Sequence, residues 1–148
     1  MPQVDVEKST DTWAGALGYA GVLPVAGLLL AAWINPAWQQ PSMTFASSYA
    51  ALILSFIGGI HWGFATSGIG SAKTFAISVI PSLWAWAALA YSAAYTLAAL
   101  IIGLIVFLLY ERNSELARSF PSWYLPLRLR LTLGLSLGLG GFFLLAVL

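Results

Sequence analysis

Two apolar stretches near the start of the chain decide the fold. Residues 13–34 read WAGALGYAGVLPVAGLLLAAWI, and residues 44–66 read TFASSYAALILSFIGGIHWGFAT. No Asp, Glu, Lys or Arg occurs between Asp11 and Lys73. An apolar run of about 18 residues is typical of a transmembrane helix, because that length crosses about 30 Å of hydrocarbon. This region therefore predicts two membrane-spanning helices and the turn that joins them.

The composition of the whole chain also indicates a membrane protein. Of 148 residues, 60% are apolar and 7% are charged, and the mean hydropathy is +0.88. A soluble domain carries about a quarter of charged residues to form its surface. The absence of cysteine excludes disulfides, thiol catalysis and cysteine metal sites. A net charge of +1 provides no basic surface for nucleic acid.

Proline, glycine and length divide the chain into five predicted spans. Asn35-Pro36 ends the first helix, because the residue before a proline avoids helical backbone angles. Residues 67–71, SGIGS, form a turn. Residues 74–110 are too long for one span, so we place a break at Tyr91-Ser92-Ala93. The predicted fold is a compact all-helical bundle of five transmembrane helices, which form one domain at residues 13–148 after an N-terminal tail at 1–12. An interfacial loop is predicted at 111–125. The predicted spans lie near 13–34, 44–66, 74–91, 93–110 and 126–147.

The basic residues predict the orientation of this bundle. Five spans place all six of them on one side of the membrane: Lys8, Lys73, Arg112, Arg118, Arg128 and Arg130. An even number of spans would scatter them over both sides. Because cytoplasmic loops are enriched in lysine and arginine, the N-terminus is predicted to be cytoplasmic and the C-terminus periplasmic.

Small residues predict how the helices pack, since membrane helices associate where small side chains let backbones approach. The second helix carries such residues at every fourth position: Ser47, Ala51, Ser55, Gly59, Gly63 and Ser67. The fifth helix carries Gly134 and Gly138. These faces either pack within the bundle or form a groove for the helix of a partner.

His61 is the single histidine of the chain and lies next to Trp62. Two residues correspond to about 200° of helix rotation, so His61 points away from Gly59 and Gly63. An imidazole in a membrane helix is a functional candidate that faces the bundle or a wet cavity. The alternative is a structural histidine that hydrogen-bonds a backbone carbonyl or a tryptophan.

Pro81 lies inside the third predicted helix and cannot donate to the carbonyl of Ile77. A water, a serine hydroxyl or a ligand can satisfy this acceptor, or Ser78 or Ser82 can stabilise the kink. Trp84 follows on the same helix and is a candidate contact for the apolar part of a ligand.

The segment before the fifth helix carries Trp123, Tyr124, Arg128 and Arg130. The two arginines are about 200° apart, so they face different surroundings. One is expected to reach lipid phosphate, and the other to turn toward the bundle, His61 or Glu111. Together with the positive end of the helix they form a candidate site for a phospholipid headgroup, although both can instead serve only as membrane anchors.

Three segments resemble a known family: GGIHWG at 58–63, IPSLWAW at 80–86 and PSWYLPLRLRLT at 121–132. The family is the uncharacterised membrane-protein family DUF3429, which includes the mitochondrial transmembrane protein 69 of animals. The similarity extends over nearly the whole chain from Leu17 onward. It implies a multi-pass protein of the bacterial inner membrane, and it supplies no reaction and no catalytic residues.

Several functions lack their required residues. A retinal protein needs a lysine in mid-membrane, bis-histidine haem needs two histidines, and ion-coupled transport usually needs a carboxylate within a span. No catalytic residue and no metal site is identified, and a non-enzymatic role is favoured. The first hypothesis is an accessory subunit or assembly helper of a larger respiratory or photosynthetic membrane complex, with another copy of the chain as a further possible partner. The alternative is a protein that binds a quinone or an anionic lipid at the cytoplasmic leaflet through His61, Trp62, Trp84, Trp123, Tyr124, Arg128 and Arg130.

Overall fold

The computed structural model of the protein describes residues 12–147, and this part of the chain is helical without strands. The predicted five-helix bundle is confirmed. The predicted N-terminal tail, with Lys8, lies outside the described residues except for Thr12, and so does Leu148. The helices are α1 at Thr12–Ile34, α2 at Gln39–Thr66, α3 at Ala72–Ala88, α4 at Ala93–Asn113 and α5 at Tyr124–Val147.

Four helices of the described chain, namely α1, α2, α4 and α5, are long and apolar enough to cross a membrane. The α3 helix has 17 residues, and at 1.5 Å per residue it is about 25 Å long, near the lower limit for a span. Its start is fixed by a capping box, in which Ser71 and Thr74 each bond the backbone of the other. The break before α4 lies at residues 89–92.

The α2 helix begins five residues before its predicted start at residue 44, because the connection from α1 is almost entirely helical. The side chain of Asn35 accepts a hydrogen bond from Ala37 N at 3.0 Å, and a short 3₁₀ helix at Pro36–Trp38 leads directly into Gln39. The connection between the first two helices is therefore tighter than the sequence indicated.

The α2 helix packs against all four other helices and forms the centre of the bundle. Gly58 gives its closest approach to α3, because a Cβ there would collide with the carbonyl oxygen of Ser78 and touch Pro81. The hydroxyls of Ser55 and Ser82 are hydrogen-bonded at 2.8 Å across the same interface. A buried apolar core of leucines from α2, α4 and α5 completes the packing: Leu54, Leu97, Leu100, Leu104, Leu135 and Leu139.

The predicted packing face at Gly59 and Gly63 is wrong for contacts within the chain. Both glycines are exposed, and a Cβ at either position would meet no atom within 4 Å. One residue rotates a helix by about 100°, so Gly58 faces α3 and its neighbour Gly59 faces outward. On α5, by contrast, Gly134 and Gly138 lie against Val22 and Val25 of α1.

The described basic residues gather at one end of the bundle. A Cβ on Gly70, in the loop between α2 and α3, would lie 3.2 Å from the Leu116 side chain in the loop between α4 and α5. Arg130 Nη1 donates a 2.8 Å hydrogen bond to Tyr19 Oη of α1. These contacts bring both loops and the first turns of α1 together. That end carries Lys73, Arg112, Arg118, Arg128 and Arg130.

Candidate functional site

A buried ion pair joins the last turns of α4 to the first turns of α5. Arg128 Nε donates to Glu111 Oε2 at 2.9 Å. The Glu111 side chain is fully buried and that of Arg128 is 5% exposed. Burying either charge alone would be very costly, so each side chain depends on the other. The pair forms because α4 continues past its predicted end at Tyr110 and carries Glu111 inward.

Two neutral side chains complete most of the hydrogen bonding of the pair. Tyr124 Oη donates to Glu111 Oε1 at 2.8 Å, and Arg128 Nη1 donates to Thr132 Oγ1 at 2.8 Å. Tyr124, Arg128 and Thr132 are four residues apart and therefore share one face of α5. Arg128 Nη2 is buried and has no hydrogen-bond partner among the described residues. The guanidinium thus keeps one unused donor group.

His61 lies beside this pair in an aromatic environment. Its ring centroid is 5.0 Å from that of Phe107, 6.0 Å from that of Tyr110 and 6.1 Å from that of Phe120. Its side chain is fully buried, and Nδ1 lies 3.3 Å from the carbonyl oxygen of Ile57. In this geometry Nδ1 donates and Nε2 is left as an acceptor, without a partner within residues 12–147.

A cavity of about 420 Å³ lies between α1, α2 and α5, next to Arg128. This volume falls within the usual range for small-molecule sites. Its polar lining consists of Trp123, Tyr124 and Arg128. The other walls are apolar or glycine, and they include Leu17, Val22, Ile53, Ile57, Leu131 and Leu135. The cavity is therefore an apolar space with one polar end.

The α1 wall of the cavity contains a break that the sequence analysis did not predict. Residues 12–20 are helical, Gly21 and Val22 form a turn, and the helix resumes at Leu23. Pro24, in the first turn of the second part, has no N–H to continue the helical ladder. The carbonyl of Gly21 instead accepts a 2.8 Å hydrogen bond from Tyr49 Oη. The first part of α1 contributes Ala14, Leu17 and Gly18 to the lining of the cavity.

The structure divides the candidate residues into two groups. Trp123, Tyr124 and Arg128 line the cavity, whereas His61 lies against α4 and Phe120 and is not part of the lining. Arg130 is exposed and binds Tyr19, so the two arginines do face different surroundings, with Arg128 turned toward Glu111.

Trp62 and Trp84, which the sequence groups with Arg128, are not among the residues that line this cavity. Trp62 is 49% exposed and packs its ring at 5.0 Å from Phe75, because it is one residue and about 100° away from His61. Trp84 Nε1 donates to the carbonyl oxygen of Ala99 at 2.8 Å. Trp84 lines a separate space of about 80 Å³ between α2, α3 and α4.

Sequence reasoning missed Thr132 and underestimated Glu111. The sequence predicts Glu111 in the interfacial loop and as a possible partner of an arginine. The spacing of four between Tyr124, Arg128 and Thr132 was available as a signal of a shared polar helix face. The burial of Glu111 could not be read from the sequence, because its position depends on how far α4 extends.

The fold and this site define a multi-pass helical membrane protein with a buried ion pair beside an apolar cavity. The chain belongs to the family described as protein of unknown function (DUF3429), whose model matches residues 10–144. The resemblance seen in the sequence is thereby confirmed.

Relatives in two vertebrates support the same assignment. The chain is 36% identical over 121 residues to transmembrane protein 69 of Xenopus tropicalis. This match covers 78% of the chain and 47% of the relative. It is 34% identical over 121 residues to transmembrane protein 69 of Mus musculus. This second match covers 77% of the chain and 48% of the relative. The chain thus spans about half the length of these relatives. No solved structure is significantly similar to it.

Proposed function

We propose that this protein binds an amphipathic, lipid-like ligand in the cavity between α1, α2 and α5. The ligand places its polar head at Arg128 and its apolar part among the leucine and isoleucine side chains. Two observations carry the proposal: Arg128 lines the polar end of this cavity, and its buried Nη2 lacks a hydrogen-bond partner among the described residues. Quinones and anionic lipids are the two ligand classes that the sequence predicts for such a site.

The chemistry of the cavity favours such a ligand over a polar metabolite. A buried donor without a partner is unfavourable, so an acceptor atom at Nη2 is stabilising. A fully polar molecule would lose its own hydration against walls that offer few polar groups. A molecule with one polar end and an apolar body matches both requirements.

Retention of lipid by the purified protein tests this proposal. Native mass spectrometry in a mild detergent is expected to show a bound lipid or quinone on the wild type and much less on Arg128→Gln. The matched control is Arg112→Gln, which removes an exposed arginine near Glu111 and is expected to keep the ligand. A wild-type protein without bound amphiphile, or equal retention by all three proteins, would overturn the proposal.

We further propose that the protein lies in a bacterial inner membrane with its N-terminus in the cytoplasm and its C-terminus in the periplasm. The clustering of the described basic residues at one end supports this orientation. In this orientation Arg128 and the polar end of the cavity lie in the cytoplasmic leaflet, so the ligand enters from that leaflet. In this role the protein is a binding protein and not an enzyme.

A second candidate function is that of an accessory subunit or assembly helper of a larger membrane complex. The observation that favours it is the outward-facing Gly59 and Gly63, which leave a small-residue face of α2 uncovered within the chain. A stoichiometric partner recovered in mild detergent, and lost from a Gly59→Leu/Gly63→Leu variant that still folds, is the expected result. Recovery of the protein alone from native membranes would count against this role.

A further inference from the structure

The charge of Arg128 is already balanced within the protein, and this limits the kind of head that the cavity accepts. We propose that the ligand is an uncharged lipid whose head presents a hydrogen-bond acceptor oxygen, and that anionic lipids are disfavoured. This inference rests on the proposed function, because it specifies the ligand of the same cavity.

Most hydrogen-bonding groups of Glu111 and Arg128 already have a partner. Both carboxylate oxygens of Glu111 accept hydrogen bonds, from Tyr124 and from Arg128. Nε and Nη1 of Arg128 are used, and Nη2 is the group that remains without a partner in the described chain. Nη2 can only donate. A carbonyl or ester oxygen of a ligand therefore completes the network without a proton of its own.

The charges at the site are unfavourable for a ligand with a phosphate or carboxylate head. Among the described residues, Arg128 is the single charged residue that lines the cavity, and Glu111 already neutralises it. A second anion at Nη2 would face Glu111 across one guanidinium in a region of low dielectric, where like charges repel strongly. Arg130, the other arginine of α5, is exposed and bonded to Tyr19.

The N-terminus of α5 does not supply the missing positive charge. A helix N-terminus binds anions through N–H groups that have no partner in the helix. In α5 the N–H of Tyr124 donates to the carbonyl oxygen of Pro121, the N–H of Leu127 donates to that of Trp123, and Pro126 has no N–H. The helix end is thus largely satisfied by the chain itself.

An isoprenoid quinone and a neutral glyceride share the required chemistry of an apolar body and an uncharged acceptor head. The test uses delipidated protein in detergent and native mass spectrometry with three probes: a short-chain ubiquinone, dioleoylglycerol and dioleoyl phosphatidic acid. We expect one of the two uncharged probes to bind at least about ten-fold more tightly than phosphatidic acid, because like-charge contacts are strongly disfavoured. The uncharged probe that binds more tightly shows whether the head group is that of a quinone or that of a glyceride.

The Glu111→Gln variant makes the test more specific. It removes the negative charge and leaves Arg128 uncompensated, so we expect the preference to shift toward phosphatidic acid. Glu115→Gln is the control, because it removes the charge of an exposed carboxylate that does not line the cavity, and this variant is expected to keep the preference for the uncharged probe. If Glu111→Gln does not fold, the affinities of the wild-type protein for the three probes still test the inference.

Two results would contradict the inference in different ways. Phosphatidic acid that binds the wild type as tightly as the uncharged probes, and depends on Arg128, would overturn the inference and leave the proposed function intact. Absence of binding by all three probes would remove both.

Discussion

Arg128 Nε lies 2.9 Å from Glu111 Oε2, and both side chains are buried at the junction of α4 and α5. The bond connects two helices whose joining segment, residues 114–123, contains a short 3₁₀ helix at Glu115–Ser119. It therefore fixes where α5 begins relative to α4. It also fixes the side chain of Arg128, a residue that lines the cavity, so the same pair supports both the fold and the proposed ligand site.

The first prediction concerns the stability of this pair. Arg128→Met is expected to lower the free energy of unfolding by about 3–5 kcal/mol, because it leaves a buried carboxylate uncompensated. The double variant Arg128→Met/Glu111→Leu is expected to lose clearly less than the sum of the two single changes. Unfolding in mixed micelles monitored by circular dichroism measures both. Additive losses would show that the two charges do not depend on each other.

The second prediction compares two adjacent glycines of α2. Gly58→Ala is expected to destabilise the protein by about 1–3 kcal/mol, because the new methyl group would collide with the carbonyl oxygen of Ser78. Gly59→Ala meets open space and is expected to leave stability unchanged or to raise it by up to about 1 kcal/mol. Thermal unfolding of the two variants in the same detergent decides the matter. Equal losses would contradict the assigned rotation of α2.

The third prediction separates Trp84 from the ligand site. Trp84→Phe removes the hydrogen bond to Ala99 O and is expected to cost about 1 kcal/mol of stability. Trp86→Phe, at a residue that is 76% exposed, is the control and is expected to have little effect. Both variants are expected to retain bound amphiphile like the wild type. Loss of the ligand from Trp84→Phe would place that tryptophan in the site after all.

The fourth prediction tests the orientation in the membrane. The chain contains no cysteine, so a single introduced thiol can be labelled without background. Arg118→Cys, in the loop between α4 and α5, is expected to react only with a reagent that reaches the cytoplasm. Ala90→Cys, in the exposed turn between α3 and α4, is expected to react with a membrane-impermeant reagent from the periplasmic side. The reverse pattern of labelling would invert the bundle and move the site to the other leaflet.

The helical bundle could be predicted from the sequence because burial in lipid imposes strong constraints on length and charge. The uncharged stretch from residue 12 to residue 72 left room for two spans, and the break near Ser92 followed from the excess length of the apolar region around it. The early start of α2 at Gln39 was missed, because the first residues of the helix, QQPS at 39–42, are polar enough to resemble a loop.

The rotation of each helix was harder to predict than its position. A spacing of four identified a face of small residues on α2 but did not show whether that face meets another helix. Gly58 became the packing glycine because Pro81 of α3 lies against it, which is a relation between distant residues. The same limitation applies to Trp62 and Trp84, whose directions depend on neighbours that no local pattern specifies.

The sequence predicted the inward-facing arginine of the site but not its surroundings. An angle of about 200° between Arg128 and Arg130 implied that one of them turns inward, and Glu111 was among the possible partners. The sequence did not show that the charge of Arg128 is neutralised, or that a cavity adjoins it. Both features require the positions of α1, α4 and α5 relative to one another.

An experimental structure of the protein in lipid nanodiscs tests the proposed ligand site most directly. The expected result is elongated density between α1, α2 and α5, with its polar end within about 3 Å of Arg128 Nη2, as a hydrogen bond requires. A cavity closed by side chains, with Nη2 bonded to another group of the protein, would contradict the proposal.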